Sequence, residues 1–202
     1  MKDVAAIILA AGRSRRMGQF KPLLPFGDGT VVDYCIDNLR GGGVDNIVVV
    51  VGHRASELQN HLQRAAVTFA VNPNLESEMS ASIACGVHLV PASIRAILIT
   101  PVDHPAVPPI VVTRIIEAGE LNALVVPTWE DRGGHPVLVH APFRDRLLNL
   151  DPERGLRGLF ESHSHQVMRL PVDSPYIARD MDTWDDYVLL HKDVFGVLPR
   201  HS

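Results

Sequence analysis

Residues 4–18 have the sequence VAAIILAAGRSRRMG, in which an apolar run passes directly into a loop of small and basic residues. The apolar run predicts a strand buried on both faces, as strands of parallel sheets are. Small residues after it let successive backbone N–H groups approach an anion closely. Four basic side chains in or near the loop add donors that match phosphate oxygens: Arg13, Arg15, Arg16 and Lys21. The stretch therefore predicts a strand followed by a phosphate-binding loop, with an ordinary solvated basic loop as the alternative.

The alternation of strands and helices continues along the chain. Short apolar runs predict strands at residues 4–9, 46–51, 67–71, 96–100 and 123–127. Helical periodicity predicts helices between them at residues 30–39, 55–64, 80–89 and 108–118. A strand–helix–strand order requires right-handed crossovers, which build a parallel sheet with helices on both faces.

The pattern changes after residue 134. There it predicts a strand at 136–139, helices at 142–150 and 155–162, a strand at 166–170, and a closing helix at 183–192. Either Asp182 or Thr183 would cap that last helix. We therefore predict one α/β domain over residues 1–192, with a mostly parallel twisted sheet and helices on both faces. A loose C-terminal tail would follow over residues 193–202.

Composition excludes several classes of partner. The chain has 202 residues and a formal net charge of −4, so bulk charge indicates neither a nucleic acid nor a membrane surface as partner. No apolar run approaches the ~20 residues of a membrane span. The two cysteines, Cys35 and Cys85, form no disulfide framework and lack metal-ligand spacing. We predict that both are core residues of a cytoplasmic protein.

Familiar phosphate-binding and nucleophile motifs are absent from the first loop. Gly12 and Gly18 do not fit the GxGxxG fingerprint of dehydrogenases, and Gly18 is followed by Gln19 rather than by the Lys-Ser/Thr of a P-loop. No GxSxG nucleophile motif occurs, so covalent catalysis is not indicated. The loop needs another explanation.

Acidic residues follow the predicted strands at the edge where α/β proteins bind ligands. Asp103 comes directly after a strand in TPVDHP, residues 100–105. A carboxylate there suits Mg²⁺, which prefers one or two carboxylates plus substrate phosphates. A turn aspartate that bonds its own backbone would have the same position, and the residues alone leave both interpretations open.

The first loop resembles the LAAGxSxRMG…KxLL signature of nucleotidyltransferases, through LAAGRSRRMG at 9–18 and KPLL at 21–24. Within that superfamily the chain is most similar to the molybdenum-cofactor cytidylyltransferase and guanylyltransferase group, and the resemblance extends to about residue 192. It implies the fold of nucleotide-diphospho-sugar transferases. It also implies that the loop wraps a triphosphate, with catalytic roles for Lys21, Arg13, Arg16 and Asp103. The nucleotide-binding residues implied in the loop are Leu9, Ala10, Ala11, Gly12, Arg13 and Lys21.

Further site residues follow from the same resemblance. Asn72, Ser80 and Ser82 correspond to residues that line the base and ribose, although Glu78 replaces the usual glycine and Ser80 could simply cap a helix. Asp103 is implied in nucleotide and metal binding. Gly134 and His135 match a GHPV element that borders the acceptor.

The segment RDMDTWDDY, residues 179–187, resembles the family's DIDTPEDL. Its first aspartate, Asp180, is implied as the second Mg²⁺ ligand beside Asp103. Asp182 is the weaker candidate, because it could equally cap the following helix.

The resemblance implies a Mg²⁺-dependent transfer of a nucleotidyl group to a phosphorylated acceptor, with pyrophosphate released. LAAG resembles the cytidylyl branch, so we expect CMP transfer from CTP to molybdopterin, with delivery of the product to a molybdoenzyme or its chaperone. A sugar- or polyol-phosphate nucleotidylyltransferase would have a similar loop. A non-catalytic nucleotide-binding regulatory module would be expected to lack the phosphate lysine or the metal acids, whereas Lys21, Asp103 and Asp180 are all present.

Overall fold

The computed structural model describes residues 3–14, 16–74 and 76–199. The strands are β1 Val4–Leu9, β2 Pro25–Phe26, β3 Gly29–Thr30, β4 Asn46–Val51, β5 Thr68–Val71, β6 Ala96–Pro101, β7 Leu124–Trp129, β8 Arg132–Gly133, β9 Val137–His140 and β10 Val167–Pro171. The helices are α1 Val31–Gly41, α2 Ala55–His61, α3 Met79–Leu89, α4 Pro109–Gly119, α5 Arg144–Leu148, α6 Gly155–Ser162 and α7 Trp184–Phe195. No helix in the described part of the chain is long and apolar enough to cross a membrane.

One large sheet has the strand order β10-β7-β9-β6-β1-β4-β5, and β8 pairs with β7. β1 lies at the centre and is parallel to both neighbours, β4 and β6. The prediction of a mostly parallel sheet is thereby confirmed. β9 is antiparallel to β6 and β7, because the short hairpin between β7 and β9 leaves no room for the crossover helix that a parallel strand requires.

The two faces of the sheet bury separate apolar cores. Along β1, Ile8 belongs to the core shared with α1, α4 and α7, whereas Ile7 belongs to the core shared with α3, α5 and α6. Successive side chains of a strand alternate between faces, so a strand covered on both sides must be apolar throughout. Every residue of β1 is buried, which explains the uninterrupted apolar run.

Helix boundaries differ from the sequence-based prediction at three places. α2 ends at His61, and the helix predicted from residue 142 is split into a 3₁₀ turn, Ala141–Phe143, and α5. α7 runs to Phe195 and ends at Gly196 in the left-handed conformation, so the predicted tail boundary falls inside a helix. The ring of Phe195 packs edge-on against Phe26, 4.9 Å between centroids, which anchors this end. Of the predicted tail, residues 200–202 lie outside the described residues.

The start of α7 is fixed by a capping box. The Thr183 hydroxyl accepts a hydrogen bond from the Asp186 backbone N–H, and the Asp186 carboxylate accepts one from the Thr183 N–H. Two backbone N–H groups at the start of the helix are thereby satisfied. Thr183 is therefore the N-cap, which leaves the Asp182 side chain available for other contacts.

Candidate active site

A cavity of about 260 Å³ opens at the carboxyl ends of β1, β5 and β6, where the topology places ligand sites. Most of the predicted nucleotide-binding residues line it: Leu9, Ala10, Ala11, Gly12, Lys21, Asn72, Ser82 and Asp103. The lining also includes residues that the sequence did not single out: Ser14, Pro22, Asn74, Ser77, Met79, Pro101 and Val102. Ser80 is buried in the first turn of α3 and is not part of this lining.

Lys21 is held at the cavity by its own backbone as well as by its side chain. It begins a 3₁₀ turn with Pro22 at the second position, a common arrangement because proline lacks the N–H that such a turn would leave unused. The Lys21 N–H donates to the Ser14 Oγ at 3.2 Å. Only 8% of the residue is exposed, so its ammonium is largely removed from solvent.

The Lys21 ammonium joins two distant acidic residues. Its Nζ donates to Asp103 Oδ2 at 3.3 Å and to Asp182 Oδ1 at 3.0 Å. The hydrogen bond from Lys21 lowers the pKa of the Asp182 carboxyl below its ordinary value, and the charges of Lys21 and Arg16 act in the same direction. Asp103 has a second oxygen, Oδ1, that is buried and has no hydrogen-bond partner among the described residues.

Asp182, rather than Asp180, is the aspartate that reaches this cluster. Asp180 is exposed and makes no hydrogen bond or ion pair within the described ranges. Met181, between the two aspartates, is fully buried in the core and fixes the chain just before α7. The sequence-based preference for Asp180 therefore differs from the observed geometry, because burial of Met181 and capping by Thr183 decide which carboxylate approaches Lys21.

The arginines of the first loop also pair with carboxylates. Arg13 Nη1 lies 2.5 Å from Glu76 Oε1, which connects the first loop to the loop after β5. Arg16 forms an ion pair with Asp182. Arg15, the remaining arginine of the predicted basic cluster, lies outside the described residues.

Asn72 organises the part of the cavity wall that follows β5. It is 4% exposed, and its Nδ2 donates to Ser77 Oγ and Ser82 Oγ, each at 2.9 Å. Its Oδ1 accepts the backbone N–H of Asn74 at 3.0 Å, a local turn that asparagine before proline favours. The Asn72-Pro73-Asn74 sequence was the available signal for this turn, whereas the contribution of Ser77 has no sequence signature.

Ala11 is packed tightly against the β4–α2 loop. A Cβ added to Gly52 would lie 2.9 Å from Ala11 Cβ and 3.0 Å from its carbonyl oxygen. That oxygen accepts the His53 N–H at 3.3 Å. A glycine at position 52 is therefore what allows Ala11 to have its methyl group here.

Gly134 packs against protein backbone. A Cβ at Gly134 would lie 2.1 Å from the Ile177 carbonyl oxygen, which already accepts the His135 N–H at 2.8 Å. The sequence suggested a close approach of a ligand at this glycine. The observed close approach is instead that of the segment leading to Asp182.

His135 is half-buried beside a second histidine. Its Nδ1 lies 3.3 Å from the Ile99 carbonyl oxygen, so Nδ1 must carry the proton and donate. The ring of His104 lies 5.2 Å away between centroids. Burial, with the nearby His104, lowers the pKa of His135 to about 4, so the ring is neutral near pH 7.

The donor set fits a hard divalent cation. Within residues 3–14, 16–74 and 76–199, no group of three or more His, Cys, Asp or Glu residues could hold a metal ion. Asp103 and Asp182 nevertheless converge on one ammonium, and Asp103 Oδ1 accepts no hydrogen bond from the described residues, with His104 Nε2 3.8 Å away. Two carboxylates are the usual protein share for Mg²⁺, whose other ligands are water and substrate phosphates.

Comparison with known proteins identifies the family of the chain. The family described as MobA-like NTP transferase domain matches residues 6–167. The molybdenum cofactor cytidylyltransferase of Escherichia coli K12 is 28% identical over 189 residues, which cover 93% of this chain and 95% of that protein. The nicotine blue oxidoreductase of Paenarthrobacter nicotinovorans is 24% identical over 189 residues, covering 89% of this chain and 92% of that protein.

Solved structures show the same similarity in three dimensions. The Rv0371c protein of Mycobacterium tuberculosis H37Rv superimposes with a TM-score of 0.85 at 30% identity, covering 94% of this chain and 97% of that one. The same protein in complex with manganese superimposes with a TM-score of 0.81 at 29% identity, covering 94% of this chain and 98% of that one.

Proposed function

The chain belongs to the MobA-like NTP transferase family and is a nucleotidyltransferase, and from this premise we propose that it transfers CMP from CTP to molybdopterin with Mg²⁺. The contact of Lys21 with both Asp103 and Asp182 beside the cavity carries the proposal. It brings a buried ammonium and two carboxylates to the loop that would wrap a triphosphate. A nucleotidyl transfer needs both kinds of charge at one place.

The reaction requires positioning and charge stabilisation more than a strong base. An acceptor phosphate oxygen would attack the α-phosphorus in line, the bond to the β-phosphate oxygen would break, and pyrophosphate would leave. Lys21, already largely desolvated, would stabilise the negative charge that grows on the phosphoryl oxygens. Arg13 and Arg16 would contact the leaving pyrophosphate. Mg²⁺ held by Asp103 and Asp182 would supply further charge neutralisation.

The proposed preference for CTP rests on Ala11. Ala11 lines the cavity, and its methyl group packs against Gly52, so this part of the wall cannot move back without a backbone shift. A pyrimidine requires less space than a purine at this wall. One steric difference of this kind changes discrimination by about 1–3 kcal/mol, so the preference contributed by Ala11 alone would be partial. Asn72 and Ser82, which line the same cavity, would contact the base or ribose.

The choice of molybdopterin rests on similarity to the Escherichia coli cytidylyltransferase, which spans nearly the whole of both chains. The acceptor would enter beside His135, whose Nε2 is left as a hydrogen-bond acceptor because Nδ1 carries the proton. The proposal includes a cytoplasmic setting, which suits the two free cysteines, Cys35 and Cys85. It also includes delivery of the product to a molybdoenzyme or its chaperone.

The experiment combines four nucleotides with several acceptors. CTP, GTP, UTP and ATP are each incubated with Mg²⁺ and molybdopterin, pyrophosphate is measured, and the product is identified by mass spectrometry. Parallel reactions replace molybdopterin with sugar phosphates or polyol phosphates, and Asp103→Asn is the inactive control.

We expect the largest kcat/KM with CTP and molybdopterin. Transfer only to a sugar phosphate or polyol phosphate would change the acceptor class. Equal or better use of GTP would overturn the cytidylyl assignment. Nucleotide binding without transfer to any acceptor would favour a regulatory module.

A further inference from the structure

The ammonium of Lys21 lies where positive charge is needed between two carboxylates. Its Nζ contacts Asp103 at 3.3 Å and Asp182 at 3.0 Å, and its side chain is 10% exposed. The Asp103 side chain is 20% exposed, so both members of this pair are largely removed from water. A largely desolvated carboxylate such as that of Asp103 requires a compensating cation, whereas the Asp182 side chain is 35% exposed and keeps part of its hydration.

The same two carboxylates form the metal site of the proposed function, on which this inference rests. Two cations within a few ångströms of each other repel strongly in a partly desolvated site. We propose that Lys21 is the resident cation of this site in the nucleotide-free protein, and that a divalent metal binds there only as the ammonium leaves. The metal and the ammonium therefore compete for Asp103 and Asp182.

The nucleotide gives Lys21 a new partner. The lysine has a flexible stem and lines the same cavity as residues 9–12, where a triphosphate would lie, so its ammonium can exchange carboxylates for phosphate oxygens. Metal and nucleotide then bind with positive coupling. Movement of the Lys21 ammonium from the carboxylates to the phosphates frees the metal ligands and at the same time adds a contact to the nucleotide. The protein alone binds the metal weakly.

Arg16 provides an internal comparison. It also pairs with Asp182, but its side chain is 76% exposed, whereas that of Lys21 is 10% exposed. Solvent already screens an exposed pair, so removing Arg16 changes metal affinity little. Competition with the metal for the carboxylates is thus specific to the buried ammonium of Lys21 and is not a general effect of net charge.

The test measures Mn²⁺ binding to the nucleotide-free protein by calorimetry or electron paramagnetic resonance. Lys21→Met keeps most of the side-chain length and removes the charge, while Lys192→Met makes the same charge change at an exposed position on α7. We expect Lys21→Met to bind Mn²⁺ about 5–150-fold more tightly than the wild type, the usual range for coupled sites. Lys192→Met should match the wild type. Equal or weaker Mn²⁺ binding by folded Lys21→Met overturns the inference.

A second measurement needs no substitution at Lys21. Amine labelling of the wild type, followed by mass spectrometry of the Lys21 peptide, reports how far the ammonium is released. We expect added Mn²⁺ to accelerate the labelling of Lys21 and to leave the labelling of Lys192 unchanged. An unaltered labelling rate of Lys21 overturns the proposed competition between the metal and the ammonium.

Asp103→Asn separates the two proposals. If a nonhydrolysable CTP analogue brings Mn²⁺ to the wild type and to Asp103→Asn equally, the proposed metal site fails, and the inference fails with it. If Mn²⁺ binding depends on Asp103 but not on the charge of Lys21, only the inference fails.

Discussion

Gly134→Ala is expected to destabilise the protein far more than the same substitution at the neighbouring glycine. The new Cβ would lie 2.1 Å from the Ile177 carbonyl oxygen and 2.5 Å from its carbonyl carbon. Both are backbone atoms, so no side-chain rotation can relieve the overlap. The loop and the segment of Ile177 must separate by roughly 1 Å, which is a form of overpacking.

The magnitude follows from two contributions. Overpacking in a well-packed region costs about 1–3 kcal/mol. Separation also lengthens the hydrogen bond from His135 N–H to the Ile177 oxygen, now 2.8 Å, whose loss costs about 0.5–1.5 kcal/mol. A decrease of about 1.5–4.5 kcal/mol in the free energy of unfolding is therefore expected.

Gly133→Ala is the matched control. Gly133 is exposed, and a Cβ there would meet only Val126 Cγ1 at 3.1 Å. A side-chain methyl can move by a few tenths of an ångström, so we expect a change below about 1 kcal/mol. Urea unfolding of wild type and both variants, followed by circular dichroism, measures the differences. Equal stability of the two variants would refute the packing argument at Gly134.

Three other predictions concern residues in and beside the site. Lys21→Ala is expected to lower kcat about 10²–10³-fold with a smaller change in KM for CTP, because the ammonium stabilises charge in the transition state. A change in KM alone, measured by steady-state kinetics, would contradict this. Asp182→Asn is expected to raise the Mg²⁺ concentration that gives the half-maximal rate, whereas Asp180→Asn is expected to leave that concentration unchanged. If a Mg²⁺ titration shows the increase in Asp180→Asn instead, Asp180 rather than Asp182 is the metal ligand. Burial and the nearby His104 lower the pKa of His135 to about 4 from 6.5. Between about pH 4 and pH 6.5, His135 is therefore protonated in the unfolded chain and neutral in the native state. The free energy of unfolding should therefore fall as the pH decreases from 6.5 to about 4, by at most about 1.4 kcal/mol per pH unit. It should fall less in His135→Gln. The same pH dependence of the free energy of unfolding in both proteins would show that His135 does not titrate this way.

Most of the fold could be predicted from the sequence because the strands are buried on both faces. A strand such as β1 must be apolar at every position, and few other structures require such a run. The direction of β9 could not be read in this way, since parallel and antiparallel strands share the same apolar pattern. The length of the β7–β9 connection decided it.

The lining of the cavity was predictable where one loop carries several of the lining residues together. Leu9 to Gly12 and Lys21 lie close in sequence, and the cavity brings them together as expected. Which of Asp180 and Asp182 contacts Lys21 was not predictable, because burial of Met181 and capping by Thr183 are effects that two similar aspartates in a sequence cannot reveal. The packing of Gly134 on Ile177 likewise joins segments more than forty residues apart.

The contact between Ala11 and Gly52 has a consequence for altering nucleotide choice by directed evolution. Each residue limits the other, since a side chain at position 52 would collide with the methyl group of Ala11. Libraries that vary position 52 alone would return mostly misfolded clones, and libraries that vary position 11 alone would sample only glycine and alanine productively. Randomising both codons together removes the contact between the two side chains, and the selected residue at position 52 must then fit only beside the backbone of residue 11, whose carbonyl oxygen is 3.0 Å from a Cβ there. The useful unit of mutagenesis is thus a pair of codons about forty positions apart in the gene.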